Sequence, residues 1–167
     1  SQLEKLKSDI SINTESKILE IKQKLSQLRE QKTQFLDKQK EFLPTVKEVR
    51  DSIQTLRDKQ STVRANLAEI QKKLELYSQN KCPHCLSDLT DAIHTQMKVE
   101  LQEKKEKYEA AIPKINELVS TKNSELVTLE ESVRNSTSKV YSIDAEISPL
   151  IRELDTLQKT TSDDSTK

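Results

Sequence analysis

The chain has no glycine and no tryptophan, and only 3% of its 167 residues are aromatic. Glycine takes positive φ angles without strain, so tight turns and many helix ends normally use it. A chain of this length without glycine is therefore expected to contain few tight turns and long regular segments. The hydrophobic fraction of 32% is also too small for a thick core of several packed layers.

The chain also has no excess of charge of either sign, because 28 basic residues are balanced by 28 acidic ones. The two signs are interspersed, as in the run EKKEKYE at 103–109. The linear sequence shows no cluster of basic residues of the kind that binds nucleic acid. The balance favours a solvated helix surface whose opposite charges neutralise one another.

Long hydrophobic runs and cysteine pairs are scarce. No apolar run approaches the roughly 20 residues that cross a bilayer, and no signal peptide opens the chain. Two cysteines do not make a disulfide scaffold, so a reducing, intracellular compartment is expected.

A heptad repeat runs through most of the first half. Its 18 core positions alternate at spacings of three and four: Ile18, Ile21, Leu25, Leu28, Lys32, Phe35, Gln39, Phe42, Val46, Val49, Ile53, Leu56, Gln60, Val63, Leu67, Ile70, Leu74 and Tyr77. Only Lys32, Gln39 and Gln60 are polar, and all three fall in one heptad column. A repeat sustained this far predicts a left-handed coiled coil.

The second half repeats the signal in two stretches. The predicted core positions are Leu101, Lys104, Tyr108, Ala111, Ile115, Leu118 and Lys122, then Leu126, Leu129, Val133, Ser136, Val140, Ile143, Ile147, Leu150, Leu154 and Leu157. The step from Lys122 to Leu126 is four where three is due, which predicts a stutter that locally unwinds the supercoil.

One break separates the two halves. Pro83 cannot sit in a helix interior, Asn80 can end the first helix, and Ser87 or Asp88 can cap the second. A short connection between helices favours an antiparallel pair. The predicted fold class is all-α, a long antiparallel two-helix coiled-coil hairpin with a CxxC tip. The predicted organisation is a helix over 1–79, an apex over 80–88, a helix over 89–159 and a frayed polar tail over 160–167.

Folding the chain at 83/84 predicts which residues face each other. The numbers of facing residues then add up to about 167, and the stutter lies opposite Pro44. Pro113 and Pro149 are expected to kink or break the second helix. The alternative is a parallel dimer of one very long helix, because heptads alone do not fix orientation.

The only two cysteines lie in the segment KCPHCLSDL at 81–89, near the midpoint of the chain. Cys82 and Cys85 at this spacing suit thiol–disulfide exchange when the first cysteine starts a helix inside a βαβ framework. The heptads on both sides provide no such framework. The same spacing lets two thiolates reach one Zn²⁺ ion, and Pro83 presets the turn between them.

A structural zinc site has four ligands, and the chain supplies two sulfurs. His84 and His94 are possible further ligands, although His84 is expected to point away and His94 to lie on a helix surface. The sharper prediction is a second copy that supplies the other two sulfurs, so that two tips share one zinc in a Cys₄ site. The plainer alternative is an exposed turn with two idle thiols.

A coiled coil with C-P-x-C at its apex resembles the zinc-hook segment of the SMC-like ATPases of DNA double-strand-break repair. These are the SbcC-type partners of an Mre-type nuclease, and the wording CPHCLSDL is most similar to the bacteriophage members. The specific match is short, mainly Cys82, Pro83 and Cys85. Many members carry glycine directly after the second cysteine, where this chain has Leu86.

The resemblance implies a zinc-mediated dimerisation module that tethers DNA-bound complexes. The parent ATPase would bind an Mre-type nuclease and DNA, with its ATPase head built outside residues 1–167. The segment itself would not be an enzyme, and it would have no membrane partner. Its location would be the cytoplasm or nucleoid of a bacterial or phage-infected cell, or a eukaryotic nucleus. The alternative function is a structural coiled-coil spacer or scaffold with an incidental CxxC.

Overall fold

Two long helices make up almost all of the computed structural model. It describes residues 1–84 and 92–165, and for 92, 93, 164 and 165 the backbone alone. Helix α1 is Gln2–Ser78 and helix α2 is Ala92–Ser165. The all-α prediction is confirmed, and the two helices pack against each other. In the described part of the chain, neither helix has a stretch apolar enough to span a membrane.

The chain divides into two compact units. The terminal unit combines Ser1–Thr45 with Leu129–Lys167, and the central unit is Val46–Thr128. Each unit contains one stretch of α1 and one stretch of α2.

The helices run antiparallel in the terminal unit. Lys32 Nζ lies 2.7 Å from Asp144 Oδ1, and Gln39 donates a hydrogen bond to Thr137. The later residue of α1 thus meets the earlier residue of α2. The cross-helix partners Lys32 and Asp144 have numbers that add up to 176, and so do those of Gln39 and Thr137.

The central unit has the same direction and the same register. Gln60 donates a hydrogen bond to Asn116, and the Tyr77 and His94 rings lie near each other closer to the loop. The register expected from folding at 83/84 is therefore wrong by nine residues. Residues 123 and 126 lie against the stretch 50–57, where one groove is lined from both helices, rather than opposite Pro44.

The core of α1 follows its heptad repeat. All 18 predicted core positions from Ile18 to Tyr77 are buried or half-buried. In the terminal unit one hydrophobic cluster joins three residues of α1 to two of α2: Ile21, Leu25, Leu28, Ile143 and Ile147. Each such side chain contributes about 1.5–3 kcal/mol when fully buried.

The core of α2 differs from the prediction at two positions. Leu118 is 52% exposed and Lys104 is exposed, whereas Val119 and Lys105 are half-buried. With these replacements, and with half-buried Ile112 in place of Ala111, the repeat alternates regularly from Leu101 to Leu157, and the predicted stutter is absent. The physical reason is that Leu118 and Val119 are adjacent apolar residues, and Val119 keeps the spacing of three and four.

Prolines do not interrupt either helix. Pro44 lies inside α1, and α2 continues through Pro113 and Pro149, so the predicted breaks are wrong. All three prolines are exposed, as are the residues four positions before each one. Water can therefore satisfy each carbonyl that loses its backbone partner, which lowers the cost of the missing hydrogen bond.

The second helix extends beyond residue 159 into the segment predicted as a polar tail. It continues to Ser165. The Thr160 hydroxyl donates to the Thr156 carbonyl at 2.9 Å, and the Thr161 hydroxyl donates to the Leu157 carbonyl at 2.8 Å. These local bonds satisfy the hydroxyls within the helix, so the polar composition does not end it.

Candidate metal centre

A defined helix end places the first cysteine. Asn80 has φ of 56°, in the left-handed region. The Asn80 amide donates to the Tyr77 carbonyl at 3.0 Å, and the Lys81 amide donates to the Leu76 carbonyl at 3.0 Å. This pair of bonds is a Schellman motif, which satisfies the last carbonyls of α1. Asparagine is the residue besides glycine that enters this region most readily, so the chain ends its helix without glycine.

Cys82 follows this turn and faces inward. Its exposed fraction is 3%, whereas neighbouring His84 is exposed. The His84 backbone amide donates a hydrogen bond to Cys82 Sγ, at 3.4 Å. The turn at Pro83 thus bends the backbone so that an amide points at the sulfur. Such a bond stabilises negative charge on sulfur, the form that binds metal. The sequence prediction of cysteines at an open tip did not anticipate this burial.

Tyr77 is a buried neighbour of Cys82. Its exposed fraction is 3%, and its ring lies 6.4 Å from the His94 ring at a 52° tilt. Burial raises the pKa of the Tyr77 hydroxyl, and negative charge on Cys82 raises it further. His94 is half-buried against this ring, so the expectation of a plain helix-surface histidine is wrong. Tyr77 is the last core position of the α1 heptad repeat, and this position predicted its burial.

The metal donor set is only partly visible. Cys85, the second predicted ligand, lies outside the described residues, as do Leu86, Ser87 and Asp88. Among residues 1–84 and 92–165, no three His, Cys, Asp or Glu side chains converge on one point. Cys82, His84 and His94 therefore do not form a site by themselves. The turn at Cys82 is compatible with one thiolate ligand, because a backbone amide that donates to sulfur favours its charged form.

Comparisons with protein-family models, curated proteins and solved structures gave no match for this chain. Heptad sequence is built from a few residue types, so it carries little family signal. The features of this chain that point to a function are the cysteine turn and the helices that hold it.

Proposed function

We propose that this chain is a zinc-mediated dimerisation module, in which two copies share one Zn²⁺ through Cys82 and Cys85 of each. The observation that carries the proposal is the turn at the end of α1, where the His84 amide donates to Cys82 Sγ. The C-x-x-C spacing adds a second sulfur within reach of the same ion. A chain with two cysteines needs a second copy to complete four sulfur ligands.

Zinc would supply cross-linking rather than catalysis here. A structural zinc site contributes about 10 kcal/mol in small peptides at neutral pH, and it needs deprotonated thiols. The protein's own contribution is to hold the turn: the Schellman motif at Asn80 fixes where the chain leaves α1. The buried Cys82 sulfur must become accessible when metal binds. Metal uptake is therefore expected to rearrange the contact between Cys82 and Tyr77.

The wider role follows from the resemblance to zinc-hook ATPases. The module would join two coiled coils of a DNA repair or recombination ATPase, whose complex with an Mre-type nuclease binds DNA. The joined modules would tether the DNA-bound complexes. The module itself would have no catalytic activity.

The experiment combines zinc content with sedimentation of the full chain, before and after a chelator. The expected result is about one zinc per two chains and association that weakens on chelation. The Cys82→Ser, Cys85→Ser double variant should bind no zinc and keep its helicity. His84→Ala is the matched control, because it alters the same turn and should leave the zinc content unchanged. Loss of zinc in His84→Ala would contradict the all-cysteine site.

One observation favours the alternative function, a coiled-coil spacer. Cys82 is as deeply buried as the core residues of α1, so its thiol can serve as a small apolar side chain. A spacer predicts that zinc has no effect on association at any concentration, and that Cys82→Ala changes only stability.

A further inference from the structure

From residue 12 onward, the exposed large hydrophobic residues of the terminal unit lie on one side of its helix pair. Heptad column a holds Lys32 and Gln39 in α1, and Val140 and Ile147 in α2. Columns b and e, which lie one and four residues after column a, are beside it on the surface of each helix. Six exposed large hydrophobic residues from residue 12 onward occupy columns e and b: Ile12, Leu19, Leu36, Leu43, Tyr141 and Ile151. Tyr141 is 71% exposed and Leu43 is 55% exposed.

Both helices present these columns on the same side. Lys32 of column a contacts Asp144 of column e, and Gln39 contacts Thr137 of column e. The e columns of α1 and α2 therefore flank one edge of the interface. We call the surface formed by columns e and b of both helices, over 12–43 and 130–155, the apolar side.

The opposite side of the same helix pair is polar. Columns g and c of α1 contain lysine, glutamate and glutamine from Lys17 to Glu41, and those of α2 contain no large hydrophobic residue from Ser132 to Thr160. Leu3, Leu6 and Ile10 are exposed and fall in columns g and c by the same count, so this side is polar only from Lys17 onward. From residue 12 onward the exposed large hydrophobic residues therefore lie on one side only, and exposed apolar surface gathered in this way marks a candidate interaction site.

Charges on the apolar side are sorted by helix. In α1, columns e and b carry Lys22, Arg29 and Lys40 against one acidic residue, Glu15. In α2, the same columns carry Glu130, Asp144 and Asp155 against one basic residue, Arg134. A basic row on one helix therefore runs beside an acidic row on the other.

We propose that the apolar side binds the apolar side of a second copy of this chain, with α1 of each copy over α2 of the other. Two copies can meet face to face in two symmetric ways. A two-fold axis across the helices would set the basic row of α1 against itself, which is repulsive. A two-fold axis along the helices sets each basic row against an acidic row and keeps the two copies parallel.

The parallel arrangement also brings the apolar residues together. Because facing residues have numbers near 176, Leu36 lies level with Tyr141 of the partner subunit. Lys22 lies level with Asp155 of the partner subunit by the same rule. Lys40 lies near Arg134 of the partner subunit, which is the one unfavourable charge pair. The binding energy comes from the apolar residues, and the charges select the direction.

This contact does not depend on zinc and lies in the terminal unit, whereas the cysteines lie in the central unit. The test therefore uses the full chain carrying Cys82→Ser and Cys85→Ser, with chelator present. Sedimentation over a range of concentrations should show a monomer–dimer equilibrium. Leu43→Glu or Tyr141→Glu should weaken the association at least about tenfold, since each places a charge in buried apolar surface.

Leu118→Glu is the matched control, because Leu118 is exposed to a similar degree but lies in the central unit. It should leave the association unchanged. All three changed residues are exposed, so helicity measured by circular dichroism should stay constant. A cysteine-free chain that is monomeric at every concentration would overturn this inference and leave the zinc proposal intact.

Disulfide trapping tests the direction. In the cysteine-free chain, one population carries Leu36→Cys and a second carries Tyr141→Cys. The parallel arrangement predicts that the mixed disulfide forms faster than either homodimer. Preferential pairing of two Leu36→Cys chains would contradict it.

Discussion

Lys32 Nζ donates a 2.7 Å hydrogen bond to Asp144 Oδ1 across the α1–α2 interface of the terminal unit. Lys32 occupies a core position of the heptad, where an apolar residue is usual. A polar residue at such a position costs stability unless it meets a polar partner, so it disfavours other registers. The pairs Gln39–Thr137 and Gln60–Asn116 also join a polar core residue to a polar partner, and their residue numbers likewise add up to 176. Polar pairs therefore set the register of the two helices.

Reversing the charge of Lys32 should expose this role. Lys32→Asp places two carboxylates together and should lower the free energy of unfolding by about 1 kcal/mol. Both side chains are about one third or more exposed, so solvent screening keeps the effect small. Adding Asp144→Lys should restore stability to within about 0.5 kcal/mol in urea denaturation. The i,i+4 pair Glu69 and Lys73 is the control, and its reversal should change stability by less than about 0.5 kcal/mol.

Truncation of the terminal-unit core should be costly. Leu25 is 3% exposed and belongs to the cluster with Ile143 and Ile147. Leu25→Ala should lower the free energy of unfolding by about 2–4 kcal/mol, because it removes buried methyl groups and leaves a cavity. Leu118→Ala, at an exposed position in the central unit, is the matched control and should cost under about 0.5 kcal/mol. Equal costs at the two positions would show that the helices do not pair as described.

The turn after α1 should depend on the positive φ of Asn80. Asn80→Ala should destabilise the chain by about 1 kcal/mol, since a Cβ-bearing residue without a local hydrogen bond is disfavoured there. Asn80→Gly should be neutral or stabilising, because glycine takes this conformation freely. Thermal unfolding of the two variants measures the difference. A tolerated alanine and a harmful glycine would rule out the Schellman turn.

Stability should fall at high pH through Tyr77. Burial raises the pKa of the Tyr77 hydroxyl above its ordinary value of 10.0, and charge on Cys82 adds to the rise. The folded chain then holds the proton more tightly than the unfolded chain. The stabilisation is fully present below the unfolded pKa and is lost as pH rises through the folded pKa. Tyr77→Phe removes this dependence, so the wild type should lose stability relative to Tyr77→Phe above about pH 10.

Absorbance of tyrosinate gives an independent reading of the same group. Tyr77 should ionise above the ordinary tyrosine value, because burial raises its pKa. Cys82→Ser should lower the pKa of Tyr77 part of the way toward its ordinary value, because it removes the nearby negative charge. A Tyr77 that ionises at or below the ordinary tyrosine value would contradict its burial.

Much of the fold could be predicted from the sequence, because the apolar period determines which face of a helix is buried. Every core position from Ile18 to Tyr77 was predicted correctly. The errors in α2 arose at Leu118, next to Val119, where hydrophobicity alone does not decide which residue turns inward. The register could not be read from Pro83, because a proline shows where a helix is excluded and not where the chain folds back. It depends on cross-helix pairs such as Lys32 with Asp144.

The candidate site was only partly predictable. The spacing of Cys82 and Cys85 indicated metal chemistry, and Asn80 was expected to end the first helix. The burial of Cys82 over Tyr77 was not foreseen, because it depends on the path of the chain after the Schellman turn. The side-chain pairing of Tyr77 with His94 depends on the register and was missed for the same reason.

Zinc titration followed by native mass spectrometry tests the central claim most directly. The full chain carrying Leu43→Glu is used, so that the contact through the apolar side is weakened and the cysteines act alone. A shared Cys₄ site predicts saturation at about one zinc per two chains, with the metal found only in the dimer. One zinc bound to a monomer, or dimerisation that is indifferent to zinc, would contradict the account.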